Sequence, residues 1–265
     1  MGLFRKKENN EKKLENVEQP EANEPIHTTG FYSDKGRRAN QEDSFLITDE
    51  YHKRRLILVA DGLGGQEYGE FASNLTTDVF KNFFVQSESF DSPESFLTRT
   101  TLVAASMLMN KSTEDENLKD SATTLTGFMI IDNIFYTINV GDSRVYMFSD
   151  NKLTRKTKDH SFVQHLIDTG EITLEDAFSH PKKNLVTSII SNNITKLKTS
   201  IEGPFNLKEG DILIACSDGV HDALRDAEIE KIIANNQNAD NLAEIIGKAS
   251  YDAESKDNIT ACFYK

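Results

Sequence analysis

The chain is short of cysteine: Cys216 and Cys262 are the only two in 265 residues. Two thiols make no disulfide framework. Both sit in apolar runs and read as buried, reduced side chains of a cytosolic protein. Positive charge is scarce as well, with 30 Lys and Arg against 43 Asp and Glu and a net charge of -13. That deficit argues against a nucleic-acid backbone or an anionic membrane as the main partner. No apolar run approaches about 18 residues, so no transmembrane helix is expected. No secretory signal opens the chain, and position 6 lacks the Ser or Thr of a myristoylation signal. There are no internal repeats.

Further absences narrow the chemistry. The run Gly62-Leu63-Gly64-Gly65-Gln66-Glu67 lacks the last glycine of GxGxxG, which disfavours dinucleotide binding. No GxxxxGK[ST] loop for a nucleotide is present. Neither Ser143 nor Ser217 sits in a GxSxG elbow, which disfavours a serine hydrolase. No His/Cys cluster has zinc-ligand spacing, and the six histidines are scattered.

What is present begins after a charged leader. Residues 1–25 are nearly all charged or amide and are expected to be a disordered tail; 26–265 reads as one domain of catalytic size. Expected strands are Thr28–Ser33, Ser44–Thr48, Leu56–Ala60, Ser121–Ile131, Ile134–Val140, Val145–Phe148, Asp211–Ala215 and Ile259–Tyr264. Phe71, Leu75, Val79 and Phe83 recur every four residues and predict a helix over Glu67–Phe84. Ser92-Pro93-Glu94 opens a second helix, to about Asn110, with Ser as cap and Pro at the first position. Lys111–Asp120 reads as a polar loop. Ser161–Thr169 is a short helix stopped by Gly170, and two more helices lie at Asp226–Ala234 and Asp240–Ser250. The mixed segment Glu171–Asn193 reads as a mobile loop or flap, within a flap region of about 160–193.

The central stretch is Arg55–Gly65. Its apolar run Leu56–Ala60 ends in Asp61, followed by Gly62 and Gly64. An acid at the tip of a buried strand is costly unless a positive charge meets it, and glycine lets backbone approach closely. The pattern repeats at Gly141-Asp142 and Asp218-Gly219. Asp257 opens another strand, and Glu42-Asp43 precedes one. Carboxylates gathered at strand ends repel unless cations lie between them. All-oxygen ligation suits Mg2+ or Mn2+. A pair of such ions about 3.5–4 Å apart is a device for attacking phosphate esters. An arginine fork is the natural clamp for the phosphate, and Arg38 is the best placed.

The segments Arg38…Glu42-Asp43, Asp61-Gly62-Leu63-Gly64-Gly65, Ser121-Ala122-Thr123-Thr124, Val140-Gly141-Asp142-Ser143-Arg144, Ser217-Asp218-Gly219-Val220 and Asp257-Asn258 occur in the order of a known family. Together they resemble metal-dependent serine/threonine protein phosphatases of the 2C type, in their bacterial branch, from about Thr28 to the C-terminus. Lys158-Asp159-His160-Ser161 with Gly170 and His180-Pro181 is similar to that branch's flap. The resemblance implies an α+β fold of two packed antiparallel sheets flanked by helices on both sides, a four-layer αββα sandwich. It implies that Asp61 bridges two metals and that Gly62 contributes its carbonyl. Asp218 and Asp257 complete the second metal, and Glu42 and Asp43 act through metal-bound waters. Asp142 with Asp222 holds a weaker third ion, and Arg38 binds the phosphate. The implied activity is hydrolysis of phosphoserine and phosphothreonine in proteins by attack of a metal-activated water. The implied enzyme is a cytoplasmic monomer, opposing a partner serine/threonine kinase.

Four places depart from the family pattern. Leu63 stands where many eukaryotic members carry a histidine proposed as general acid, and Gln66 where bacterial members often have histidine. Ser121-Ala122 replaces the usual glycine before the Thr pair. Leu185–Ile190 lacks the arginine often found at the flap's end. His160 is a candidate proton donor, with a structural role weighing more heavily. Two other readings of the chain are a non-catalytic regulatory module on the same fold and a phosphatase of small metabolites. Loss of Asp61, Asp218 or Asp257 would favour the module, and all three are present.

Overall fold

The computed structural model describes residues 27–64 and 68–265. The expected disordered leader, 1–25, lies outside the described residues, as do Gly65, Gln66 and Glu67. In chain order the elements are β1 (Thr29–Asp34), β2 (Ser44–Ile47), β3 (Arg54–Ala60), β4 (Gly62–Leu63), α1 (Tyr68–Gln86) and α2 (Pro93–Glu114). Then come β5 (Ala122–Thr123), β6 (Leu125–Ile131), β7 (Ile134–Val140), β8 (Arg144–Ser149), β9 (Lys152–Arg155), α3 (Phe162–Asp168) and α4 (Leu174–Phe178). The chain closes with β10 (Ile190–Ser191), β11 (Ser200–Asn206), β12 (Ile212–Cys216), α5 (Asp218–His221), α6 (Asp226–Asn235), α7 (Leu242–Asp252) and β13 (Ile259–Tyr264).

Single-residue alternation explains the unbroken apolar strands. In β3, Leu56 and Leu58 pack with Phe80, Phe84, Phe96 and Leu97 of α1 and α2. Ile57 and Val59 point the other way, into a core shared with Val145, Met147, Leu213, Ala215 and Cys262. Both faces of the strand are therefore buried. The sheet holding β3 runs β11-β7-β6-β3-β2, and the facing sheet runs β1-β13-β12-β8-β9, all antiparallel. The outer face of the second sheet packs Tyr146, Phe148, Ile212 and Ile214 against Ile229, Ile233, Leu242 and Ile246 of α6 and α7. Two sheets between two helical layers give the expected four-layer sandwich. Cys216 and Cys262 are buried free thiols. Among the described residues no helix is long and apolar enough to cross a membrane.

Several boundaries differ from the sequence expectation. Ser121–Ile131 is two strands rather than one, because the Thr124 N–H turns aside to the Asp61 carbonyl at 2.8 Å. β5 thereby joins a separate small sheet, β10-β5-β4. The polar loop Lys111–Asp120 is the last turn of α2 followed by a single 3₁₀ turn, Glu116–Asp120. In that last turn Lys111 pairs with Glu114 at 2.8 Å, the buried Ser112 hydroxyl donates to the Leu108 carbonyl, and the Asp115 N–H closes the helix on the Lys111 carbonyl. β9 and β11 carry no apolar run and were not foreseen. Each closes one edge of its sheet and is partly exposed. The flap contains α4, whose start is a reciprocal capping box between Thr173 and Asp176.

Candidate active site

The site is assembled at one end of the sandwich, where β3 and β12 stop and β2 and β13 begin. Asp61 follows β3 directly, and its backbone is clamped by the threonine pair. Its N–H donates to Thr124 Oγ1 at 3.0 Å, while its carbonyl accepts from Thr123 Oγ1 at 2.9 Å and from the Thr124 N–H. Thr124 Oγ1 in turn meets Ser143 Oγ at 2.9 Å. The Thr pair and the Gly-Asp-Ser motif thus brace Asp61.

Gly62 is required by space. A Cβ built there would meet the Gly69 carbonyl oxygen at 2.3 Å and that of Glu42 at 2.4 Å. The backbone of α1's first turn therefore presses Gly62 against Glu42. The Ser73 hydroxyl of α1 donates to the Glu42 carbonyl at 2.6 Å.

Asn258 anchors the opposite wall. Its Oδ1 accepts from the Glu42 N–H at 2.8 Å, and its Nδ2 donates to the Lys35 and Asn40 carbonyls. One side chain thus holds the loop carrying Arg38, Glu42 and Asp43 beside Asp257. Asp43 accepts from Ser217 Oγ at 2.8 Å, which ties β2 to the start of α5.

Arg38, Glu42, Asp61, Gly62, Asp218 and Asp257 line one open cleft of about 360 Å³. Asp142 and Asp222 line a neighbouring cavity of about 440 Å³ under the flap. Asp43, Asp61 and Asp142 are each 7–8% exposed, so most of this charge is withdrawn from water. Burial pushes the Asp61 carboxyl well above its usual range, and the charges of Asp218, Asp43, Asp142 and Asp257 push it further. Burial does the same for Asp218, with Asp142, Asp257, Asp222 and Asp43 adding to it. Asp43 and Asp142 are each raised to about 7, chiefly by burial. Glu42 is raised too, by burial, against the opposing charge of Arg38.

Two of the expected residues carry partners of their own. Arg38, expected on phosphate, donates to Asp257 Oδ2 at 2.7 Å and to the Lys256 carbonyl at 2.9 Å. Asp222, expected at the third ion, pairs with Lys183 of the flap at 2.9 Å. Among the described residues no three His, Cys, Asp or Glu side chains close on a common point at metal-ligand distance. The fit to a hard cation rests instead on donor chemistry. Asp218 Oδ1 is buried without a hydrogen-bond partner, and the acids raise one another's affinity for positive charge.

His160 is structural. Its Nδ1 accepts from the Gly141 N–H at 3.3 Å, so its proton lies on Nε2, which meets Ser200 Oγ at 2.9 Å. Burial lowers its pKa to about 4, and Lys198 adds to the effect. Arg144 is structural as well. It grips Asp159 through Nη2 at 2.8 Å and Nε at 3.2 Å, fixing the start of the flap.

Sequence reasoning did not assign roles to Asn258, Ser217, Ser143 or the Thr pair. Each lies next to a singled-out acid or in a quoted motif, which was the available signal. Their partners are distant in sequence and were not legible.

A family model described as protein phosphatase 2C matches residues 32–254. The serine/threonine phosphatase stp of Listeria innocua is 28% identical over 234 residues, 87% of this chain and 92% of that protein. The crystal structure of serine/threonine phosphatase Stp1 from Staphylococcus aureus superposes with a TM-score of 0.83 at 28% identity, covering 90% of this chain and 94% of that one. The catalytic domain of the serine threonine protein phosphatase PstP, in complex with two manganese ions, gives a TM-score of 0.78 at 27% identity, covering 90% and 97%. With the motifs in order, the sandwich in place and the acids gathered at its end, the chain belongs to the protein phosphatase 2C family.

Proposed function

We propose that this chain is a metal-dependent protein phosphatase that releases phosphate from phosphoserine and phosphothreonine. The observation that carries the reading is the set of carboxylates lining one cleft, with Asp61 buried, Asp218 half-buried and Arg38 exposed. The two manganese ions named with the PstP catalytic domain support the same metal class here, Mn2+ or Mg2+. Asp61 and the Gly62 carbonyl would help hold the paired ions, together with Asp218 and Asp257, and Glu42 and Asp43 would act from the surrounding shell. Asp142 and Asp222, which line the neighbouring cavity, would hold a weaker third ion. When bound, such ions supply Lewis acidity to the phosphoryl group and to the water that attacks it.

The chain's own residues do the rest. Arg38 offers the phosphate oxygens the guanidinium N–H groups left over from Lys256 and Asp257, and its side chain is 57% exposed at the cleft rim. Asn258 and Ser73 hold Glu42 in register with Gly62. Leu63 has no ionisable proton to give, and His160 has its ring nitrogens engaged by Gly141 and Ser200. Neither of them protonates the leaving serine or threonine oxygen. The described domain, with its flap over about 160–193, acts as a cytoplasmic monomer and opposes a serine/threonine kinase.

The test is hydrolysis of a phosphothreonine peptide with Mn2+, with Mg2+ and with EDTA. Metal-dependent phosphate release, lost in Asp61→Asn, is expected. Release that survives EDTA, or a fully active Asp61→Asn protein, would overturn the assignment.

A further inference from the structure

The cavity under the flap holds a feature that the proposed phosphatase chemistry leaves unused. His221, the last residue of α5, is buried, with its side chain 4% exposed. Its Nε2 lies 3.1 Å from the Asp142 carbonyl. A carbonyl can only accept, so Nε2 carries the proton and Nδ1 is a bare lone pair. That Nδ1 is buried and has no hydrogen-bond partner. It sits 3.7 Å from Asp222 Oδ1, a second acceptor. Two acceptors facing each other at this distance inside a protein call for a positive centre between them. Lys183 does not fill that role directly, because its Nζ takes the other carboxylate oxygen, Oδ2, at 2.9 Å.

The arrangement has the marks of a histidine ligand. Metal-binding imidazoles characteristically donate their second ring N–H to a carbonyl or carboxylate, which fixes tautomer and orientation. Here the Asp142 carbonyl performs that task. Two bonds of about 2.1 Å to one ion span 3.7 Å at an angle of about 120°, an ordinary ligand–metal–ligand angle. Asp142 and Asp222 line the same cavity as four cations, each of which is already paired with an acid: Arg144 and Arg155 with Asp159, Lys183 with Asp222 Oδ2 and Arg225 with Glu175. An imidazole nitrogen favours transition-metal ions over Mg2+, whereas carboxylates alone do not.

We propose that His221 Nδ1 and Asp222 Oδ1 form a mixed nitrogen–oxygen cation site that selects Mn2+ or Zn2+ over Mg2+. Its place as the outlying third ion of the centre rests on the phosphatase reading; the donor pair does not. Lys183 neutralises one oxygen of Asp222 and links this site to the flap. Phe178 of the flap packs beneath the Lys183 ammonium at 5.4 Å and the Arg225 guanidinium at 4.6 Å, so the site lies where flap and core helices meet.

The test uses the full chain loaded with Mn2+ or Co2+ and read by pulsed electron paramagnetic resonance. In Asp61→Asn, which silences the paired centre, one bound ion with ¹⁴N coupling from a single imidazole is expected, and excess Mg2+ leaves that coupling in place. Adding His221→Gln, which keeps a donor for the Asp142 carbonyl, removes the coupling and weakens binding about 10-fold or more. A bound ion without nitrogen coupling, no ion in Asp61→Asn, or unchanged affinity in His221→Gln overturns the proposal. The coupling in the His221-containing chain decides the question even where the glutamine variant fails to fold. Nitrogen coupling in a chain without phosphatase activity would uphold the site and sink the phosphatase reading.

Discussion

Replacing Asp43 by Asn is expected to stabilise the metal-free protein at alkaline pH while weakening its hold on metal. Asp43 is raised from 3.8 to about 7, and burial is the largest cause. At about 1.4 kcal/mol per tenfold, that rise corresponds to ~4 kcal/mol of folding stability forfeited once the group ionises. Below about pH 4 the carboxyl is protonated in folded and unfolded chains alike, and the parent and the variant differ little. Between about pH 4 and 7 the folded chain keeps a proton that the unfolded chain has released, so the parent loses stability as pH rises. Above about pH 7 the full cost is present. Asparagine retains an oxygen for the 2.8 Å bond from Ser217 Oγ, so the substitution removes charge with little loss of packing. Urea unfolding in EDTA at about pH 5 and pH 8 measures the effect. The Asn variant should exceed the parent by ~2–4 kcal/mol at the higher pH and by much less at the lower. Saturating Mn2+ should reverse the order, because an ion bound only by the folded state adds stability to the parent. A parent equally stable at both pH values in EDTA would refute the reasoning, since the acids would then carry no burial cost for metal to relieve.

Three further outcomes follow from the same geometry. Arg38→Ala should raise KM for a phosphopeptide about 10–100-fold, from loss of a charge-assisted contact worth ~1.5–3 kcal/mol. Its Mn2+ affinity should not fall, because Asp257 loses a competing partner at 2.7 Å; steady-state kinetics with an unchanged KM would place the phosphate elsewhere. Gly62→Ala forces a methyl into space bounded by two carbonyl oxygens within 2.4 Å. It should lower stability by ~1–3 kcal/mol and weaken Mn2+ binding by calorimetry; a variant matching the parent in both would contradict the close approach of α1. Asn258→Ala strips partners from the Glu42 N–H and the Lys35 and Asn40 carbonyls. A loss of ~2–4 kcal/mol is expected in urea unfolding, together with a higher KM as Arg38 loses its register.

Much of the site was legible because its residues sit at strand ends. An acid after an apolar run, with glycine beside it, marks both the end of a strand and a place where backbone crowds. Asp61 and Asp218 fit that pattern, and Asp257 stands at the start of a strand. It was the set rather than any one acid that carried the signal, and the two sheets bring them to a single cleft. The strand Leu56–Ala60 was legible because its two buried faces leave no polar letter. What stayed hidden depends on contacts between distant segments. Nothing in Ser121–Ile131 signals that Thr124 turns to Asp61, because its N–H donates to the carbonyl, and its hydroxyl oxygen accepts from the N–H, of a residue 63 positions earlier. The Lys183–Asp222 pair is equally silent, since a lysine in a polar loop resembles any solvated charge. β9 and β11 escaped notice because partly exposed edge strands need little apolar patterning.

The flap leaves the body through a closed neck. Ser161 bridges to Val186, the Phe162 N–H meets the Leu185 carbonyl at 2.8 Å, and the Thr187 N–H meets the His160 carbonyl at 2.7 Å. Just beyond, Ile190–Ser191 is stitched to Ala122–Thr123, and those two residues pair with Gly62–Leu63. The neck makes the segment above it a cassette. Between Phe162 and Leu185 the segment touches the body through a few side chains, among them Lys183 on Asp222, Glu175 on Arg225 and Gln164 on Arg155, so a change of length there that keeps those contacts is not passed to the small sheet. Residues 186–191 have no such freedom, because a one-residue slip there would carry through the small sheet to the backbone of Gly62. Tolerance to insertion and intolerance to register slip are thereby separated at a boundary only a few residues wide.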